Sequence, residues 1–582
     1  AGRVARARRC GLTGAGAAVG PPPTGQPRAA GEPGGGRCRE WPGWGQLHSG
    51  AGAWTGRPEF VVQSQLLYSY KRWGTAVSDA ELPPRRRQLV LAICCMSLLI
   101  VSLDTTALNV ALPDIRADLG ASVSGLQWVV DAYTLVLAAL LMLSGSTADR
   151  LGRRRVFRWG LLLFVLGSLL CSLAPGLGWL VAARALQAVG GSMLNPVAMS
   201  IITNTFTEPR ERARAIGVWG GVVGVSMAAG PLLGGLLVDV SGWQAIFWVN
   251  VPVGLAAWLL TTLYIPESRA PRARRTDPVG QLLVIVLLGT LTYGIIESPQ
   301  HGFGSPLVLG CLAAAFGALA GLVAYESRRA EPLVDPRFFR SLPFTGAVAV
   351  AVCAFAALGG FLFVTSLYLQ EIRQLSALRA GLCMLPMALM TLVCAPLSGR
   401  LVGSRGPRLP LVAAGAGMTA AGILLACTVS ADLPLGVLFT GYVLFGIGFG
   451  LVNAPITNTA VSGMPRAQAG VAAAVASTSR QVGSSLGVAV IGAVMAAGGF
   501  GAGGLRQAAG FLETERTAWW IVSACGLAVL ALGILSTGHR ARETARRAAH
   551  LLDGSDGGDG SDEGTEAARR PAAGRTSSEA AG

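Results

Sequence analysis

Three ionisable residues stand inside apolar stretches of this chain. Asp104 falls in LDTTALNVALPDI, directly after QLVLAICCMSLLIVS, a run without charge. Asp131 lies in LQWVVDAYTL and Arg184 in LVAARALQAVGG. On the mildest insertion scale a charge at the centre of a membrane helix costs about 3 kcal/mol, so each of the three needs a partner, a proton or a task. At the helical rise per residue, Asp104 comes about 24 Å along its segment. Asp131 comes about 9 Å into the next segment, which runs the other way, and Arg184 about 10 Å into the fourth. The three can therefore share one depth. Burial favours the protonated form of a carboxyl group and a nearby guanidinium favours the charged form, so the closeness of Arg184 would tie protonation to conformation. Two other roles stay open for Asp104: a fixed partner holding the first helix, or a counter-charge for a cationic compound.

The elements that must position these groups are membrane helices. The chain has 582 residues, 52% of them hydrophobic and only 13% charged, and its mean hydropathy is +0.53. Soluble chains carry roughly 25% charged residues. Apolar segments fall at 88–112, 125–147, 156–174, 177–204, 213–238, 243–265, 278–297, 306–325, 343–370, 380–402, 408–430, 433–460, 469–498 and 517–537. Backbone groups in lipid must pair within their own segment, so these fourteen are expected to be helices and the fold class all-α.

Arginines mark every second connection. Arg85, Arg86 and Arg87 precede the first segment, and Arg150, Arg153, Arg154 and Arg155 follow the second. Arg210, Arg212 and Arg214 follow the fourth, Arg269, Arg272, Arg274 and Arg275 the sixth, and Arg328, Arg329, Arg337 and Arg340 the eighth. Arg405 and Arg408, then Arg466, then Arg540, Arg542, Arg546 and Arg547 follow the tenth, twelfth and fourteenth. The alternate connections APGLG, VSG and SADL have none. The positive-inside rule then puts both termini on the cytoplasmic side of a bacterial inner membrane. This clustering also reads the formal net charge of +16 as a topology signal and argues against a nucleic-acid partner.

Two internal echoes suggest a duplication. GSTADRLGRR, residues 145–154, aligns without gaps with GRLVGSRGPR, residues 399–408. LNPVAMSIITNT in the fourth segment is echoed by VNAPITNT in the twelfth. The expected organisation is a six-helix bundle over 77–266, a linker with helices 7 and 8 over 267–342, and a second six-helix bundle over 343–537. Residues 1–76, rich in Gly, Pro and Arg, are expected to be disordered and to lie upstream of a start near Val77, since the first methionine is Met96. Residues 538–582 are expected to form a disordered cytoplasmic tail. The eleven cysteines include no CxxC pair and the four histidines no ligand spacing, so neither a disulfide framework nor a metal site is expected. The single lysine, Lys71, sits in YSYKRW, outside any phosphate-binding glycine loop. No serine elbow or catalytic carboxylate pair appears, and neither an enzyme nor a cofactor is expected.

Six plus six helices with a Gly/Asp/Arg loop after the second resembles the major facilitator superfamily over roughly residues 85–537. Gly145, Asp149, Arg150, Gly152, Arg153 and Arg154 match its signature loop, which the resemblance makes a cytoplasmic latch between the bundles. The second copy has Gly403 where the first has Asp149. Gly230, Pro231, Gly234 and Gly235 in helix 5 match the GP-x-x-GG element of the superfamily's antiporters, where small residues admit close helix approach and proline bends the helix. LDTTALNVALP, LQWVVDAYTL and WQAIFWVNVPVG resemble the fourteen-helix drug:proton antiporters, with Gln244 where that family often has arginine. LNPVAMSIITNTF and the helix 5 segment look most like actinobacterial antibiotic-resistance exporters. Arg184 and Gln187 match R-x-x-Q-G, with Ala188 for the glycine. The resemblance implies alternating-access export of a small hydrophobic substrate in exchange for protons by a monomer in the lipid bilayer. Proton coupling would rest on Asp104, with Asp131 in reserve, and on Arg184; Asn109, Gln187, Asn195, Arg480 and Gln481 are cavity candidates. The alternative is a secondary transporter of another metabolite on the same scaffold.

Overall fold

The computed structural model describes residues 83–269, 277–329, 332–462, 464, 468–497 and 505–553. The amino-terminal extension, Arg272, Arg274, Arg275, Arg466 and the tail from 554 onward lie outside the described residues. Fourteen helices among the described residues are long and apolar enough to cross a membrane. They are α1 Pro84–Leu119, α2 Val123–Leu151, α3 Arg153–Ser172, α4 Leu177–Thr205, α5 Arg210–Ser241, α6 Ala245–Tyr264 and α7 Pro278–His301. The second seven are α8 Pro306–Glu326, α9 Leu342–Ile372, α10 Ala377–Arg405, α11 Arg408–Thr428, α12 Leu435–Val461, α13 Gly470–Ala497 and α14 Gly510–Ser536. Each expected segment maps onto one of them in order.

The helices overrun the apolar segments where polar residues continue the coil. Helix α1 starts with Pro84 in its first turn and stops at Gly120, whose φ of 60° ends the coil through a bond to the Arg116 carbonyl. Helix α14 begins ahead of residue 517 and so takes in Glu515. The stretch after it departs from the expected irregular tail: His539–Asp553 is a helix, α15. Its Ala541, Ala545, Ala548 and Leu552 are buried at helical spacing, while Arg540, Arg542, Arg546 and Arg547 are exposed.

The packing repeats itself. Helix α1 lies on α5 and α6, α2 on α4, and α3 on α4 and α6. Helix α9 lies in the same way on α13 and α14, α10 on α12, and α11 on α12 and α14. The two sets also meet symmetrically, α5 against α10 and α13 against α2. The duplication legible in two short echoes is thus written throughout the contacts. Helices α7 and α8 stand outside it as a hairpin. Helix α7 is bonded along α2: Gln300 Nε2 donates to Ser124 Oγ at 2.6 Å, Trp128 Nε1 to Glu297 Oε1 at 3.0 Å, and Gln281 Nε2 to the Ala139 carbonyl at 2.5 Å.

Contacts between the two sets gather at the arginine-poor end. There Ser366 Oγ donates to the Asn109 carbonyl at 2.5 Å, Gln370 Nε2 to that of Val110 at 2.8 Å, and Arg116 pairs with Glu371 at 3.2 Å. Gln127 Nε2 reaches the Ala489 carbonyl at 2.8 Å across the α2–α13 seam, and the Leu378 N–H reaches Asp239 Oδ2 at 3.3 Å across the α5–α10 seam. Toward the arginine-rich end a Cβ built on Gly217, Gly220 or Gly221 of α5, or on Gly399 or Gly403 of α10, would meet nothing within 4 Å. The sets close at one end and part at the other, leaving a cleft.

Candidate functional site

Inside the first set, four helices carry polar side chains to one dry point. Asp104 of α1 pairs with Arg184 of α4, Oδ2 to Nη1 at 2.5 Å, both side chains fully buried. Asp104 Oδ1 accepts from Gln187 Nε2 at 2.8 Å and from Asn250 Nδ2 of α6 at 2.9 Å. Arg184 Nη1 also donates to Gln187 Oε1 at 2.8 Å, and Gln187 Nε2 to Ser168 Oγ of α3 at 2.8 Å. The guanidinium lies 4.2 Å from the Tyr133 ring centroid, within cation–π range. A buried ion pair is tolerable when both partners are hydrogen-bonded, and this carboxylate is held by three donors.

Arg184 Nε also donates to the Val129 carbonyl of α2 at 3.2 Å. Asp131 is only two residues further on, yet it does not join the network. At 100° per residue, Val129 and Tyr133 share one face of α2 while Gln127 and Asp131 share another. That second face abuts α13. Asp131 is fully buried there and accepts from Thr134 Oγ1 at 3.2 Å, with Ser485 of α13 beside it. It makes no ion pair among the described residues, and its Oδ2 has no hydrogen-bond partner. The duplicated register puts Leu385 of α10 where α2 has Asp131.

The helix 5 element divides between two neighbours. A Cβ on Gly230 would run into Thr106 of α1, and one on Gly234 would come 2.9 Å from Ala107. Pro231 and Gly235 face α10 of the other set: a Cβ on Gly235 would come 2.5 Å from the Ala377 carbonyl, and one on Gly381 would strike the Pro231 carbonyl. Two consecutive turns therefore fix α5 to its own set and let it abut the other.

In the signature loop Gly152 has φ of 112°, and Glu267 fills the space a side chain would need. Gly145 is less constrained, since a Cβ there would meet Pro196 at an ordinary 3.9 Å. Asp149 accepts from Arg153 Nε at 3.1 Å and Nη2 at 2.9 Å, the Arg154 amide donates to Glu267 Oε1 at 3.1 Å, and Arg150 is exposed. The partners of Asp149 and of the Arg154 amide belong to the first set.

Of the cavity candidates, Gln187 belongs to the network. Asn109 Nδ2 donates to the Thr105 carbonyl at 2.9 Å, and its Oδ1 is buried without a partner. Asn195, half-buried, opens the second part of α4 away from the network. Arg480 Nη1 donates to Thr457 Oγ1 at 3.2 Å and Nη2 to Ser477 Oγ at 2.9 Å, with half-buried Gln481 next to it. Sequence reasoning passed over Asn250 and Ser168. Asn250 sits in AIFWVNVPVG as one polar residue in an apolar run, which is the same signal that marked Asp104. Glu515 also went unmarked; it is buried in the second set and accepts from Trp519 Nε1 at 3.1 Å.

Comparison with known proteins agrees with this architecture. Residues 94–488 match the family model of the Major Facilitator Superfamily. The chain is 38% identical over 413 residues to the multidrug resistance protein Stp of Mycobacterium tuberculosis, covering 71% of this chain and 76% of that one. It is 39% identical over 408 residues to the tetracenomycin C resistance and export protein of Streptomyces glaucescens, covering 70% and 75%. Among solved structures, a bacterial homologue of the human lysosomal transporter Spinster superposes with a TM-score of 0.53 at 18% identity, covering 81% of this chain and 99% of that one, a likeness of fold alone. The buried charge network, the duplicated bundles and these matches identify the chain as a multi-pass membrane transporter that belongs to the major facilitator superfamily.

Proposed function

We propose that the protein is a proton-coupled antiporter that exports hydrophobic drugs or antibiotics across the bacterial inner membrane, with both termini and the parted end of the bundles on the cytoplasmic side. The drug-resistance and antibiotic-export names of the Mycobacterium and Streptomyces relatives support the substrate class. The observation that carries the coupling is Asp131, a carboxyl group sealed into the α2–α13 seam without a cation. An ionised carboxylate enclosed there has lost its water and gained no counter-charge, whereas the neutral acid fits a dry seam. Opening the arginine-poor end would hydrate Asp131, and closing it would favour the protonated form. A proton thereby biases the equilibrium between the two states, which is what antiport requires. Asp104 is held by Arg184, Gln187 and Asn250, and serves in this reading as the second site, its proton uptake tied to release of Arg184. This reading puts Asp131 before Asp104, the opposite of the order expected from the sequence.

The test is reconstitution into liposomes with an internal pH dye. Adding a drug to energised vesicles is expected to move protons against the drug flux, and adding sugars or amino acids is not. Drug movement without proton movement would overturn the coupling. Movement driven by sugars or amino acids alone would overturn the substrate class.

Helix 5 gives a sharper structural test. Gly230→Leu must part α5 from α1 at Thr106, and export per inserted molecule is expected to fall to background. Gly217→Leu on the same helix meets open space and is expected to keep most of the activity. Equal activity of the two variants would make the glycine pattern ordinary helix filler.

A further inference from the structure

On helix α13 the half-buried Ala473, Ser477, Arg480, Gln481 and Ser484 share one face, and from it Arg480 reaches exposed Thr457 of α12. Arg480 stands near the middle of that face, about 17 Å from the arginine-rich end of its helix. It donates to the hydroxyls of Thr457 and Ser477, and it forms no ion pair among the described residues. One N–H on each terminal nitrogen is used, and the others of the guanidinium fork are left for a ligand. The contrast with Arg184 is chemical: that guanidinium has its carboxylate at 2.5 Å, while Arg480 has neutral oxygens that neither cancel its charge nor fill its fork. The charge of Arg480 is therefore uncancelled by an ion pair among the described residues. Asp104 and Arg184 cancel each other in the first set, and Asp131 lies in the seam on another face of α13, beside Ser485.

We infer that Arg480, with Thr457 and Ser477, is the polar anchor of the substrate site, and that it selects hydrophobic compounds bearing an acidic group such as a carboxylate, phenolate or enolate. The inference deepens the export reading and rests on it. A planar oxyanion can take both free edges of the fork, and in a site of low dielectric such charge-assisted bonds are the strong ones. A permanent lipophilic cation would face an uncompensated guanidinium at close quarters and is disfavoured there.

Equilibrium binding to the purified full chain in detergent, with no gradient, reads this directly. Pyrenebutyrate and its methyl ester share an aromatic body and differ in the charge, and tetraphenylphosphonium supplies the opposite charge. The wild type is expected to bind the acid about ten- to a hundredfold more tightly than the ester, the range of a hydrogen bond to a charged group. Arg480→Gln is expected to bring the acid down to the ester while leaving the ester unchanged, which also shows that the variant is folded. Arg480→Lys is expected to keep part of the preference, since it keeps the charge but not the fork. An acid-to-ester ratio near one in the wild type, a ratio unmoved by Arg480→Gln, tighter binding of the phosphonium, or no binding of the acid would each overturn the inference. Failure of proton coupling in vesicles would leave this binding result standing, and equal binding of acid and ester beside intact proton-coupled export would remove the anion site alone.

Discussion

Asp131→Asn is expected to abolish gradient-driven export while leaving drug exchange intact. Asparagine keeps the size of the side chain and accepts the Thr134 hydroxyl, so the α2–α13 seam still closes and opens. It cannot take or give up the proton, and it mimics the neutral acid permanently. Export driven by a pH gradient should fall by about a hundredfold or more, the order that a positioned proton-transfer group contributes. Exchange of labelled for unlabelled drug across vesicles without a gradient should stay within a few-fold of wild type. The informative pair of measurements is drug-driven proton release beside that exchange, on the same vesicle preparation. Proton release at the wild-type rate from Asp131→Asn vesicles would remove the seam carboxyl from the mechanism and return the role to Asp104.

Asp104→Asn is expected to act differently, through stability first. The substitution leaves Arg184 buried with its Nη1 bond to Gln187 and its Nε bond to the Val129 carbonyl but without the charge that justified burying it. Breaking one side of a buried pair typically costs about 3–5 kcal/mol. The variant should melt at a clearly lower temperature in detergent, and both export and exchange should be lost together, since α1, α4 and α6 are no longer tied at one point. Adding Arg184→Gln removes the orphaned charge and is expected to restore much of the melting temperature without restoring export. Thermal melting by intrinsic fluorescence beside exchange separates the cases. Wild-type stability with selective loss of proton release in Asp104→Asn would make Asp104 the proton carrier; normal behaviour in both assays would leave the pair no role at all.

These two expectations diverge because of a rotation that the sequence does not state. Asp104, Asp131 and Arg184 were each visible as a charge in an apolar run, and their similar depths follow from counting residues at a fixed rise. Which of them touch depends on how each helix is turned about its own axis. Helix α2 is apolar nearly all round, so no stripe announces its inner face. Val129 and Asp131, two residues apart, point to different neighbours for that reason. Asn250 was hidden likewise: its meaning comes from the packing of α6 on α1, not from its own surroundings in the chain. The helix 5 glycines were legible as a motif, yet the division of Gly230 toward α1 and Gly235 toward α10 is a property of two packed surfaces.

The sequence by itself determined the number and order of the membrane helices, the internal duplication and the family, because hydropathy is local and additive along the chain and a bilayer requires every span to satisfy its own backbone. It also exposed the buried charges, whose cost is set by the apolar run around them. The tertiary structure alone decided that Asp104 is paired and Asp131 is not, that the bundles meet at the arginine-poor end, and that residues 539–553 dock as a helix through four buried apolar side chains. Those outcomes depend on helix rotation and on which surfaces come within contact distance, and contact between residues a hundred or more positions apart leaves no mark in either one's local sequence.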